Sequence, residues 1–179
     1  DAETLFAFGM ARSRVEAPNN RNLSEAIQYY RRGLELQPGN LQRKHELLDL
    51  YSNTGSNAEA IALADDLLKG DPKDIAALSA KAKALASRRQ FAEALATSTQ
   101  LNELAPTDIE GQGITLYLMS PWCLNKPAGE ILGRAQDLLK KHPNDPRFVL
   151  LQGLAYHCAL DDKNAREKRG ETVVRVTHD

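Results

Sequence analysis

At 179 residues the chain is long enough for one domain with a sizeable core or for a short array of repeats, and too short for two elaborate domains. Its 23 Lys and Arg residues balance its 24 Asp and Glu residues, so it lacks the concentrated basic surface that a nucleic-acid-binding protein needs. It has no run of about eighteen apolar residues that could cross a membrane, and its two cysteines, without a CxxC spacing, do not make a disulfide framework.

Four prolines punctuate the chain at a nearly constant spacing. Successive intervals of 34, 34 and 37 residues separate Pro38, Pro72, Pro106 and Pro143. Twelve residues before these prolines stand, in the same order, Ala26, Ala60, Ala94 and Ile131. Within one interval the apolar residues recur at steps of three and four, which indicates two helices separated by a turn. The sequence therefore predicts an array of helix pairs.

The predicted array covers residues 1–160. Its units are about 2–38, 41–72, 75–106, 109–143 and 146–165, and the last is incomplete. The remaining stretch, 161–179, is predicted to be a C-terminal tail, either part of the last unit or poorly ordered. Insertions at 16–22 and 120–127 are predicted to bulge between paired helices, because loop closure costs little extra with length. Trp122, in the second insertion, is predicted either to plug a gap between units or to be an exposed contact.

Polar residues that follow each proline are placed to begin the next helix. The predicted N-caps are Asn40, Asp74, Asp108 and Asp145. Within the second unit, Gly55 is placed to take the left-handed conformation that ends a helix, and a side-chain N-cap is expected directly after it. Each unit therefore carries its own signals for starting and stopping two helices.

This pattern resembles the tetratricopeptide repeat family over roughly residues 1–160. The family's period, its small residue early in the second helix and its closing proline are matched by Ala26 with Pro38, Ala60 with Pro72, and Ala94 with Pro106. Its first-helix glycine and aromatic are matched by Gly9, Gly153 and Tyr156, and in part by Tyr51. The resemblance implies an all-α fold: a right-handed α-solenoid of antiparallel helix pairs, a superhelix like that of the family.

In such a superhelix the first helix of each pair lines a concave wall. Leu47, Leu48 and Tyr51 form the stripe that faces the second helix, so His45 and Asp49 point away from it. The same register in the other units completes the set. The predicted partner-binding residues are Phe6, Met10, His45, Asp49, Lys83, Glu110, Tyr117, Arg147, Leu150 and Leu154. This mixture of apolar and charged residues suits an extended or helical peptide, and ordinary solvent-facing scaffold residues are the alternative interpretation.

These features predict a scaffold or adaptor for protein–protein interaction, which binds a peptide or partner protein in the concave groove. The alternative is a non-catalytic regulatory or substrate-presenting module of a larger enzyme or assembly. An RNA-binding helical repeat of the pentatricopeptide kind is disfavoured by the charge balance and the proline punctuation. No HExxH or Walker-type motif is present, so we expect no enzymatic activity, no metal and no cofactor.

The expected partner is a protein or peptide, with neither nucleic-acid binding nor membrane insertion, and the solenoid ends offer a route to homo-oligomers. Some tetratricopeptide domains hold the acidic tails of heat-shock chaperones with Lys, Asn and Arg side chains. His45 and Asp49 stand where a Lys and an Asn would be expected, so we predict no such clamp here. The chain begins without Met, which suggests an excised fragment or a processed product. Its compartment is unknown, with a soluble cytoplasmic protein slightly favoured.

Overall fold

The computed structural model describes residues 1–15, 21–120, 124, 126–146, 148–150, 152, 153 and 156. This part of the chain is helical and contains no strand, which confirms the predicted all-α class. Its helices are α1 (Ala2–Ser13), α2 (Arg21–Leu36), α3 (Leu41–Thr54), α4 (Asn57–Gly70), α5 (Ile75–Ser87), α6 (Phe91–Leu104), α7 (Ile109–Met119) and α8 (Ala128–Lys141). Trp122, Arg147, Leu154 and the tail 161–179 lie outside the described residues.

The chain divides into two compact bodies, Asp1–Gly111 and Gln112–Asp179. In the first body, consecutive helices from α1 to α6 pack against one another, and α3 also packs against α5. Odd-numbered helices of this body are the first members of their pairs. The contact between α3 and α5 therefore places two first helices side by side.

Asp1 caps α1 with its side chain, and three further helices begin with side-chain caps that the sequence predicted. The side-chain oxygens of Asn40, Asp74 and Asp108 accept hydrogen bonds from backbone N–H groups three residues later, at 3.2, 3.0 and 2.8 Å. Each cap satisfies one of the donors that the first turn of a helix leaves open. The prediction of a side-chain N-cap after Gly55 was wrong. Ser56 makes no capping hydrogen bond, because its hydroxyl lies 2.9 Å from the hydroxyl of Thr54 instead.

A left-handed residue ends the first helix in two successive repeats of the first body. Gly55 has φ 70° at the end of α3, as its position predicted. One period of 34 residues later, Arg89 has φ 62° between α5 and α6. A side chain with a Cβ is strained in this region of backbone space, whereas glycine is not. The same turn is therefore built from an unstrained residue in one repeat and a strained one in the next.

Small residues let the paired helices approach closely. Ala26, Ala60 and Ala94 are each at most 1% exposed, and they stand at the repeated small position. A Cβ added to Gly9 would lie 2.7 Å from Cδ2 of Tyr30, and one added to Gly33 would meet the ring of Phe6. Interiors packed at this density do not accommodate an added methyl group without movement. The first pair is thus held together by two aromatic rings, each lying over a glycine of the opposite helix.

The second body has its own core. Leu116, Leu118, Ile131, Ala135 and Phe148 are each at most 1% exposed. The ring of Phe148 also lies near that of His142, with the ring centroids 6.1 Å apart. These residues come from α7, α8 and the helical residues that follow 145, so apolar side chains from three successive segments share this core.

Candidate partner-binding site

Phe6 does not belong to an exposed wall, and its prediction as a partner-binding residue was wrong. The structure buries it completely. Its ring lies against Gly33 and packs on Tyr30 with the ring centroids 5.7 Å apart, and the guanidinium carbon of Arg43 lies 5.0 Å from its centroid. Because Gly33 has no side chain, the long Phe6 side chain reaches α2, and Arg43 of α3 covers its remaining side.

Arg43 and Glu46 form the centre of a polar network on α3. Nη1 of Arg43 donates to both carboxylate oxygens of Glu46, at 2.9 and 3.2 Å. The Tyr30 hydroxyl donates to the same carboxylate at 2.6 Å, and the Gln42 amide donates at 3.0 Å. Arg43 also reaches Glu3 of α1, with Nη2 3.4 Å from its carboxylate. The network therefore ties α1, α2 and α3 together.

These hydrogen bonds shift the ionisation of both Glu46 and Tyr30. Burial acts to raise the pKa of Glu46, but the hydrogen bonds from Tyr30, Arg43 and Gln42 outweigh it and hold the pKa below its usual value of 4.5. Burial, together with the hydrogen bond to Glu46, raises the pKa of Tyr30 to about 12. Glu46 is therefore a carboxylate and Tyr30 a neutral phenol throughout the neutral range.

A cavity of about 400 Å³ opens beside this network, between α1, α2 and α3. Among the residues lining it are Met10, Arg14, Tyr30, Glu46, Asp49 and Leu50. Met10 and Asp49 were predicted from the register of the repeats, and the structure brings them together here. The cavity combines apolar walls with polar groups and has the volume of a small ligand pocket.

Other predicted residues of the first body contact carboxylates of the neighbouring repeat. Nε2 of His45 lies 3.1 Å from the carboxylate of Asp74, which caps α5. Nζ of Lys83 lies 2.5 Å from the carboxylate of Glu110, in the first turn of α7. We use the name first-helix face for the surface that carries Met10, His45, Asp49, Lys83 and Glu110.

The remaining predicted residues belong to the second body or lie outside the described part. Tyr117 and Leu150 are in the second body, with 46% and 64% of their surface exposed. Arg147 and Leu154 are outside the described residues. The structure therefore brings Met10 together with Asp49, and Lys83 together with Glu110, within the first body.

Sequence reasoning missed several residues that line the cavity. Asn53 stands four residues after Asp49 on the same helix face, so a search at helical spacing could have found it. Glu46 follows His45 directly and points toward the preceding repeat, so a rule that selects residues facing away from the second helix excludes it. Nothing in the repeat pattern indicates Arg14, because it is the residue that directly follows α1.

A family model described as "Tetratricopeptide repeat" matches residues 20–84. No curated protein matches the sequence. Among the helices of the described part of the chain, none is long and apolar enough to span a bilayer.

Solved structures with a similar fold include an enzyme and a repeat protein. An O-GlcNAc transferase mutant from Thermobaculum terrenum matches with a TM-score of 0.59 at 15% identity, covering 78% of this chain and 26% of that one. A thermophilic TPR protein from Thermus thermophilus matches with a TM-score of 0.53 at 11% identity, covering 87% of this chain and 99% of that one. This chain thus spans about a quarter of the transferase. At these identities both matches show the fold alone.

Proposed function

Because this chain is built from tetratricopeptide repeats, as its sequence predicted, we propose that it is a protein-interaction scaffold that holds a peptide segment of its partner on the first-helix face. Proteins of this family bind other proteins or peptides and are generally not catalytic. The proposal goes further than the family, because it assigns the binding to one surface of the first body. The proposed function is binding alone and involves no chemical reaction.

The observation that carries the proposal is the cavity beside Asp49. A solvated scaffold face needs no recess, whereas this face has one of about 400 Å³ between α1, α2 and α3. Met10 and Leu50 supply apolar surface, and Asp49 supplies an exposed carboxylate. Peptide segments are held in this way, with side chains in recesses and charged groups fixing the register.

A steric block on the first-helix face tests this assignment. Ser52 is exposed on α3, three residues after Asp49, and its hydroxyl donates only to the backbone carbonyl of Leu48 within the described residues. The variant Ser52→Trp should leave the fold intact and obstruct the face. Thr99→Trp is the matched control, because Thr99 is also exposed and its hydroxyl donates to a carbonyl four residues earlier, but it lies on the second helix α6.

The measurement is selection of twelve-residue peptides from a display library on the immobilised chain, followed by titration of the recovered peptides. We expect Ser52→Trp to weaken their binding at least about tenfold, since a bulky ring excludes them from the site. Thr99→Trp should bind as the wild type does, and circular dichroism should show both variants folded. Peptides that bind the wild type and Ser52→Trp equally well would refute the assignment.

A second candidate is that the chain is a substrate-presenting or regulatory module of a larger enzyme. The observation that favours it is the transferase match, in which about a quarter of an enzyme's length has this fold. Isolation of the native protein from its source distinguishes the two. Enzymatic activity on the same polypeptide or in a stable complex with it supports the module, and its absence supports the independent scaffold.

A further inference from the structure

Most charged groups on and beside the first-helix face have a partner within the protein. Glu3 and Glu46 share Arg43, Glu110 pairs with Lys83, and the carboxylate of Asp74 lies 3.1 Å from Nε2 of His45. Asp49 differs from these carboxylates. It is exposed at the cavity and makes no ion pair or hydrogen bond within the described residues. Its charge is therefore available to a partner.

The surroundings of Asp49 favour a cation. Glu46, a second carboxylate, lines the same cavity, although its charge is already paired with Arg43. The cavity also includes Ser13, the last residue of α1, and the carboxyl end of a helix carries partial negative charge. Arg14 is the one cation among the described lining residues. It is exposed and does not lie within ion-pair distance of Asp49.

The walls of the cavity suit the aliphatic part of a long basic side chain. Met10 is half-buried, Leu50 is 7% exposed and Leu23 is half-buried, so each offers apolar surface to the cavity. Lysine and arginine side chains cover such surface with their methylene groups while the charged end meets a polar group. An acidic side chain would instead meet the carboxylate of Asp49.

We propose that this cavity is an anchor site for a lysine or arginine side chain of the bound peptide. The charged end pairs with Asp49, and the methylene groups lie against Met10 and Leu50. This inference rests on the proposed function, because it names the side chain that the partner places on the first-helix face. A partner segment for this site therefore carries a basic residue flanked by apolar ones.

The test uses a display library that mixes equal numbers of twelve-residue peptides with lysine, glutamine or glutamate fixed at one central position. Lysine-centred peptides should be enriched on the wild type. Each recovered peptide is then titrated beside its glutamine counterpart against wild type, Asp49→Asn and the control Glu35→Gln. Glu35 is exposed on the second helix α2, and no ion pair involves it within the described residues.

We expect the lysine peptides to lose about fivefold in affinity with Asp49→Asn, and their glutamine counterparts to be unaffected by that substitution. Glu35→Gln should change neither. In the charge-reversed variant Asp49→Lys, selection should favour the glutamate-centred peptides. Because Asp49 is exposed, we expect all three variants to stay folded, which thermal melts check.

The possible outcomes test the proposed anchor site separately from the proposed scaffold function. Binding that is blocked by Ser52→Trp but shows no lysine preference overturns the anchor and leaves the proposed function standing. Enrichment of glutamate-centred peptides on the wild type also overturns the anchor, since it would assign the contact to Arg14. Binding that responds neither to Ser52→Trp nor to Asp49→Asn overturns both proposals.

Discussion

Tyr30 is a core residue whose single polar side-chain atom has a specific partner. Its ring lies over Gly9 and packs on Phe6, while its hydroxyl donates to Glu46 at 2.6 Å. A buried hydroxyl without a partner would oppose folding, and one bound to a carboxylate favours it. Tyr30 therefore joins the apolar packing of the first pair to the polar network on α3.

Tyr30→Phe isolates the polar half of that role. We expect it to lower the free energy of unfolding by about 1 to 2 kcal/mol, because Glu46 loses a charge-assisted hydrogen bond while the ring packing stays. Urea denaturation measures the change. Tyr29→Phe is the control, since the Tyr29 ring packs on Phe8 and no hydrogen bond of its hydroxyl is found within the described residues. Equal unfolding midpoints for the two variants would contradict the prediction.

Single residues also show where sequence reasoning ended. Met10 and Asp49 were predicted together because they follow the helical register, and they line one cavity. Phe6 follows the same register and is buried, because the absence of a side chain at Gly33 draws its ring toward α2. The pairing of Arg43 with Glu46 depends on side-chain conformations that no periodicity specifies. Register therefore predicts which face a residue belongs to, but not whether a neighbour covers it.

Helix boundaries were the most predictable features, because each depends on a few adjacent residues. The caps at Asn40, Asp74 and Asp108 follow from polar residues placed just after the prolines. The left-handed turn at Gly55 follows from the conformational freedom of glycine. The equivalent turn at Arg89 could not be predicted from residue type, because arginine has no preference for positive φ. Only the repeat spacing, applied at this position, would have found it.

Arg89→Gly should therefore stabilise the protein by about 1 kcal/mol, because glycine adopts φ 62° without strain. Chemical denaturation of the two proteins gives the difference directly. The neighbouring Arg88 has φ −84°, which any residue adopts. Arg88→Gly should accordingly lower stability, because it adds conformational freedom to the unfolded chain and removes the hydrogen bond from Nε of Arg88 to the Gln90 side chain. A fall in stability with Arg89→Gly would show that contacts of its side chain outweigh the backbone strain.

At the scale of the whole molecule, the period predicted a single array, and the chain divides into two compact bodies. The residues that carry the proposals, however, all lie in the first body, Asp1–Gly111. Side-chain contacts there link one repeat to the next, such as that of His45 with Asp74 and the ion pair of Lys83 with Glu110. The sequence shows that neighbouring repeats carry residues such as Lys83 and Glu110 with opposite charges. It does not show whether these side chains touch, because that depends on how the two helices pack.

The ionisation of three side chains makes the stability of the whole molecule depend on pH, both in acid and in alkali. The pKa of Glu46 is lowered by hydrogen bonds that outweigh its burial, and that of Asp66 is lowered by its hydrogen bond with Lys44. Their contribution is present above their usual values of 4.5 and 3.8 and is lost as the pH falls through the folded pKa values. The pKa of Tyr30 is raised from 10.0 to about 12, so its contribution is present below 10.0 and is lost between the two values.

Thermal unfolding midpoints should therefore be level across the neutral range and fall below pH 4.5 and above pH 10.0. Glu46→Gln should weaken the acid dependence, because it removes one of the groups that take up protons on unfolding. Tyr30→Phe should weaken the alkaline dependence. If the loss of stability in acid and in alkali is unchanged in these variants, other groups cause the pH dependence.

The charges on and beside the first-helix face have a kinetic consequence. Arg43 is shared between Glu3 and Glu46, and Asp49 makes no ion pair within the described residues, so negative charge exceeds positive charge among these groups. Such a surface attracts a basic partner before contact and accelerates its approach. Dissolved ions screen this attraction, so association should slow as the salt concentration rises, whereas the lifetime of the complex should change less.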